Sequence, residues 1–379
     1  MKKVASILIA LLIMTSMMGC GTSEAESAQD YWPTDGWRTS TPEEQDMDSA
    51  ILHQMMGYFD EEELRMDSVV VVRNGYIVFE NYWGNNDEDK KHECFSVTKS
   101  FTSALIGIAL KEGYIESLDQ KMLDFFPEYS IQNMDTRKEE ITLEHLLMMK
   151  DGFDWNEILL GEILIVTIGD ILTNALAEIL DNPETDYQIE SKSDFVQYVL
   201  DRPMAAEPGT RWNYNTGTSQ LLSAIVHETT GYDTLDFAQE FLFSPLGIND
   251  VVWLQEAQGI RFGGFGLSLT PRDMAKFGLL YLNNGAWDGE QIVPADYVTS
   301  SVETYSSLSS IEGYGYHWWT FPTLEGYGAV GLGGQFIGVF PEINTVVVFT
   351  AKLFENLSED WMVEHYYQIL SEYIIESCN

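Results

Sequence analysis

Strand signals occupy both ends of this 379-residue chain, and helix signals fill the stretch between them. Near the start, Ser68 to Val72, the turn Arg73-Asn74-Gly75 and Tyr76 to Tyr82 read as a β-hairpin, because Asn-Gly suits a tight two-residue turn. Near the end, Gly313 to Thr320, Tyr327 to Gly331, Phe336 to Phe340 and Thr345 to Thr350 read as strands. A last helix is expected from about Glu359 to Ile375. Between the two ends, helical spacing marks Phe95 to Glu112, a segment opening at Ile141-Thr142-Leu143-Glu144, and Thr270-Pro271 through Tyr281. A further helix start is read at Thr41-Pro42-Glu43-Glu44, with Pro at the first helical position and acids in the first turn. This order implies one sheet built from both chain ends, with a helical insert, in an α+β fold. No internal repeat is visible.

The run from Phe95 carries the candidate chemistry. Phe101, Leu105, Ile108 and Ala109 recur at helical spacing, and Gly113 stops the helix. Ser96 and Lys99 are three residues apart, so a helix puts them on one face. A serine alkoxide is inaccessible at neutral pH without a base, and a desolvated lysine of lowered pKa can be that base. The helix N-terminus adds N–H groups and a positive dipole that suit a developing oxyanion. Taken alone, the same letters fit a solvated helix start with a chance serine and lysine.

Two later segments keep this one company. After the turn Glu207-Pro208-Gly209-Thr210 comes Trp212-Asn213-Tyr214-Asn215-Thr216-Gly217. Later comes Ala329-Val330-Gly331-Leu332-Gly333-Gly334-Gln335, whose glycines let backbone approach a ligand closely. Together with His92 to Leu105, these resemble the three motifs of the serine β-lactamase and penicillin-binding-protein superfamily. Within it they resemble the class C-related branch of esterases and 6-aminohexanoate-dimer hydrolases. The resemblance runs from about Trp37 to about Lys352. It implies an antiparallel sheet flanked by helices (37–94 and 300–379), a helical subdomain (95–299) and a cleft between them. It implies Ser96 as nucleophile, Lys99 as its base and Tyr214 as a proton shuttle, with the N–H groups of Ser96 and Leu332 as oxyanion hole. Asn215, Gly331, Gly333 and Gln335 become candidate substrate contacts, and no cofactor is expected. Two departures narrow the substrate. Thr216 stands where the family's β-lactamases carry Asn, and Ala329 where they carry a carboxylate-binding Lys. The expected activity is therefore hydrolysis of a small-molecule ester or amide through an acyl-enzyme. A β-lactamase or D-Ala-D-Ala carboxypeptidase, and a surface binding protein without turnover, are the alternatives.

The first residues point to the cell surface. Lys2 and Lys3, the apolar run Val4 to Met14 and then Met17-Met18-Gly19-Cys20 read as a signal peptide over residues 1–19. The Gly-Cys junction resembles a bacterial lipobox, with Cys20 carrying lipid and residues 20–36 as a lipidated tether, small and polar from Thr22 to Asp30. A lipid-anchored, extracytoplasmic bacterial protein is expected. A net charge of −40 argues against nucleic acid as a partner. Cys94 and Cys378 imply no disulfide framework, and Cys94 reads as a buried packing residue. No H-E-x-x-H or G-x-S-x-G occurs, which disfavours a zinc site and an α/β-hydrolase triad. Gly263-Gly264-Phe265-Gly266 reads as a tight loop near the cleft. His317-Trp318-Trp319 reads as strand packing, with a pocket wall as the other option. Glu157 to Leu180, nearly all apolar, reads as a buried helix or helical pair, or else as a lid or pocket wall.

Overall fold

Eight strands form one antiparallel sheet in which the two ends of the chain pair, as the second and third strands from one edge. Across the sheet the order is Tyr76–Tyr82, Met66–Arg73, Thr345–Ala351, Gln335–Phe340, Gly326–Gly331, Trp319–Phe321, Gly313–Tyr314 and Ser306–Ser307. The computed structural model describes residues 31–157, 194–352 and 365–378. The expected signal peptide, Cys20, the tether up to residue 30, the apolar stretch 158–180 and the start of the last helix lie outside the described residues. The chain divides into Met1–Tyr31 and Trp32–Asn379, and the second unit holds the sheet and helices.

The valine run Val69 to Val72 explains why the sheet is covered on both faces. Successive side chains of a strand point to opposite sides. Val70 and Val72 join one core with Ile337, Val346 and Val348. Phe101, Leu222 and Phe277, from three helices, close that core. Val69 and Val71 join the other core with Val347 and Phe349, under Leu52, Met55 and Phe59 of helix Ser49–Glu61 and Ile369 and Ile374 near the chain end. The hairpin turn has Asn74 at φ 52° and Gly75 at φ 83°, the paired left-handed residues that such a turn needs. Pro271–Leu282 packs directly on the sheet. A Cβ on its Gly278 would lie 2.5 Å from Val346 Cγ1, so only glycine allows this approach.

Two expected elements come out differently. Thr41-Pro42 opens only a short 3-10 turn, Glu43–Gln45, which Asp46 ends at φ 55°. The helix proper starts at Ser49, where the Asp48 side chain accepts the Ala50 N–H. The strand expected from Gly313 to Thr320 is broken by His317 at φ 61° into Gly313–Tyr314 and Trp319–Phe321. Its buried imidazole explains the break, since it bonds the Leu147 carbonyl at 2.9 Å and Ser219 Oγ at 2.9 Å.

Candidate active site

The segment that carries Ser96 begins as a strand and ends as a helix. His92–Glu93 pairs with Leu267–Leu269, and the Cys94 N–H donates to the Leu267 carbonyl at 2.7 Å. The chain then turns through Phe95–Val97 into helix Thr98–Lys111. That pairing lays the loop Gly263 to Gly266 beside the helix start, where Thr102 Oγ1 donates to the Gly263 carbonyl at 2.8 Å. Cys94 is fully buried, as expected of a packing residue, and burial pushes its thiol well up.

Lys99 Nζ lies 3.0 Å from Ser96 Oγ and donates to the Gly264 carbonyl at 3.0 Å. The side chain is 1% exposed. Burial lowers its pKa from 10.5 to about 8, against the opposing pull of the Glu157 carboxylate. A fraction of Lys99 is then neutral near pH 7, which is what a base for serine requires. Tyr214 completes the group, with Lys99 Nζ 4.8 Å from its ring centroid. Its ring packs against Tyr314 and Trp319. The loop that presents it is held by the Asn213 N–H, which donates to the Met149 carbonyl at 2.9 Å.

Gly331 approaches the Ser96 turn from the sheet. A Cβ there would stand 2.5 Å from the Cys94 carbonyl oxygen. Ser96, Tyr214, Gly331 and Leu332 all line one cavity of about 190 Å³. Its walls are mainly apolar, from Trp319, Phe321, Val330, Tyr366 and Leu370. Two carboxylates, Glu157 and Glu312, also line it, and no Lys, Arg or His does so among the described residues. Ala329 is buried in its strand.

Three expected substrate contacts are placed elsewhere. Asn215 is fully buried, and its Oδ1 caps helix Thr216–Thr230 by accepting the Thr218 N–H at 3.1 Å. Gln335 pairs with Gly331 across the sheet and donates to the Ala351 carbonyl at 2.6 Å, so its side chain serves the sheet rather than the cleft. Gly333 belongs to the turn after Gly331, at φ 77°, and falls outside the described cavity lining. The sequence marks Glu157 only as the first residue of an apolar segment that could wall the pocket; its carboxylate accepts the Thr216 N–H at 3.0 Å and the Trp155 Nε1–H at 2.6 Å and bonds the Thr216 hydroxyl. The sequence puts the Gly263–Gly266 loop near the cleft without marking the Gly264 carbonyl as Lys99's partner.

The Beta-lactamase family model matches residues 50–365. The chain is 23% identical over 300 residues to the 6-aminohexanoate-dimer hydrolase of Paenarthrobacter ureafaciens, covering 76% of this chain and 72% of that protein. Its structure is similar to the octameric penicillin-binding protein homologue from Pyrococcus abyssi, with TM-score 0.61, 19% identity and coverage of 85% and 77%. It is similar also to EstCE1, a hydrolase with promiscuous acyltransferase activity, with TM-score 0.62, 16% identity and coverage of 83% and 96%.

Proposed function

Because the chain belongs to the Beta-lactamase family of serine hydrolases, we propose that it hydrolyses small esters or amides through an acyl-enzyme on Ser96. The observation that carries this reading is the buried Lys99 Nζ, 3.0 Å from Ser96 Oγ. Neutral Lys99 takes the Ser96 proton as Oγ bonds to the substrate carbonyl carbon. The N–H groups of Ser96 and Leu332 receive the negative charge on the carbonyl oxygen. The carbonyl re-forms, the leaving alkoxide or amine departs, and Tyr214 passes it a proton drawn from Lys99. Water then attacks the acyl carbon as Tyr214 and neutral Lys99 take its proton and return it to Ser96 Oγ when the acyl bond breaks, giving the acid and free Ser96.

The apolar walls favour an uncharged acyl chain. Ala329 offers no cation, and Glu157 and Glu312 would repel a substrate carboxylate at the cavity. Esters and amides lacking that anion therefore fit better than penicillins or peptide C-termini. We propose also, from the apolar run Val4 to Met14 and the Gly19-Cys20 junction, that the protein is held outside the cell membrane through Cys20. A fluorophosphonate probe should label the parent protein and not Ser96→Ala. Graded p-nitrophenyl esters, a linear amide and nitrocefin should then rank esters first. Nitrocefin turnover equal to that of the best ester would overturn the substrate class, and labelling of the Ser96→Ala protein would overturn the nucleophile.

A further inference from the structure

Phe95, the residue before Ser96, has φ 47°, a left-handed conformation that strains a bulky side chain. Such a conformation persists only where its surroundings hold it. Glu93 is the surrounding group. Its Oε1 accepts the Phe95 N–H at 3.1 Å and the Gly266 N–H at 2.7 Å. Its Oε2 accepts from Ser268 Oγ at 3.4 Å. Gly266 closes the loop whose Gly264 carbonyl takes Lys99 Nζ at 3.0 Å. One oxygen thus ties the backbone that aims Ser96 to the backbone that aims Lys99.

The sheet does not need this side chain for its own pairing. Glu93 pairs with Ser268 through the backbone, and the Cys94 N–H reaches the Leu267 carbonyl. Burying an acid here is costly, and burial raises Glu93 from 4.5 to about 7. An apolar residue would fill the space without that cost.

We propose that Glu93 is a positioning residue: through Oε1 it holds the strained Phe95 turn and the Gly264–Gly266 loop together, and so sets the distance between Ser96 and Lys99. The proposal rests on the reading of Ser96 as nucleophile. It explains why an acid, rather than a hydrophobe, occupies a buried site in the second position before the turn. It also predicts that what matters is the acceptor oxygen and not the charge, since glutamine keeps one oxygen able to take both N–H groups.

The test is the rate of fluorophosphonate labelling of the full chain at saturating probe, beside its thermal midpoint. Glu93→Ala should slow labelling by about a hundredfold, the scale expected of a misplaced reacting pair, with the half-saturating probe concentration unchanged. Glu93→Gln should label close to the parent rate. Phe95→Gly added to Glu93→Ala should regain part of the loss, because glycine takes positive φ without strain. Glu93→Met, which fills the space without an acceptor, replaces the alanine variant if that one fails to fold. Parent-like labelling of the folded Glu93→Ala or Glu93→Met protein, with only the thermal midpoint lowered, would overturn the proposal. So would a glutamine variant as slow as alanine, or a double variant with no gain. Labelling that survives Ser96→Ala sinks the nucleophile reading. Labelling lost in Ser96→Ala but untouched in Glu93→Ala sinks only the role of Glu93.

Discussion

Lys99 carries a cost in stability for what it offers the cleft. Its value in the folded chain, about 8, lies below its ordinary 10.5. Well below pH 8 the lysine is charged whether folded or unfolded, and the folded protein bears the whole cost of burying it. Between about 8 and 10.5 the unfolded chain keeps a proton that the folded chain has shed, so stability rises with pH across that window. Lys99→Met should therefore be more stable than the parent at pH 7 by about 2 kcal/mol, after offsetting the hydrogen bonds it loses. The margin should shrink towards pH 10, which urea unfolding at both pH values will show. The same variant should be inactive. In the parent, acylation should climb with pH and level off above about 8, as neutral Lys99 fills. Lys99→Ala should lose about a thousandfold or more in acylation rate, and Lys99→Arg should not restore it because arginine stays protonated. An active arginine variant in a stopped-flow ester assay would show that charge, not proton transfer, is what Ser96 needs.

Elements were legible in the sequence where their own residues enforce them. Thr142 and Thr270 cap their helices, accepting the His145 and Asp273 N–H groups as the local pattern required. The hairpin follows from Asn74-Gly75. What stayed hidden was set by distant partners. His317 breaks its strand for Leu147 and Ser219, 170 and 98 residues away. Glu93 meets Gly266 across 173 residues, so no local signal announces it. Asn215 is different, because an Asn ahead of Thr-Gly-Thr and an apolar run is an ordinary N-cap pattern and was open to that reading. As a cap that also donates to buried Asp151 at 3.4 Å, it gives a clear expectation. Asn215→Ala should lower stability by about 1–2 kcal/mol in urea while leaving the ester KM near that of the parent. A large KM change with no stability loss would return Asn215 to the substrate. Gly331 marks the seam between sheet and Ser96 turn. Gly331→Ala would drive a Cβ against the Cys94 carbonyl, so acylation should fall by about a hundredfold with the circular dichroism spectrum retained.

At the scale of the whole molecule, the proposed anchor and the proposed chemistry lie in different parts of the chain. No helix among the described residues is long and apolar enough to cross a membrane. The proposed attachment rests on Cys20 alone, so Cys20→Ser should shift the protein from the membrane fraction to the medium, or leave it unprocessed, with esterase activity per molecule unchanged in detergent. A variant still cleaved before position 20 and still membrane-bound would place the anchor elsewhere. The sheet has a further consequence, one that concerns time. Met66–Arg73 pairs with Thr345–Ala351, so an early strand must wait for one of the last to be made. Pairing across such a span closes slowly. Gly331 and Leu332, which complete the cleft around Ser96, are late arrivals as well. A chain still being synthesised holds its serine and lysine long before it holds the strand that lines their cleft, so the proposed activity should appear only once the final strands are in place.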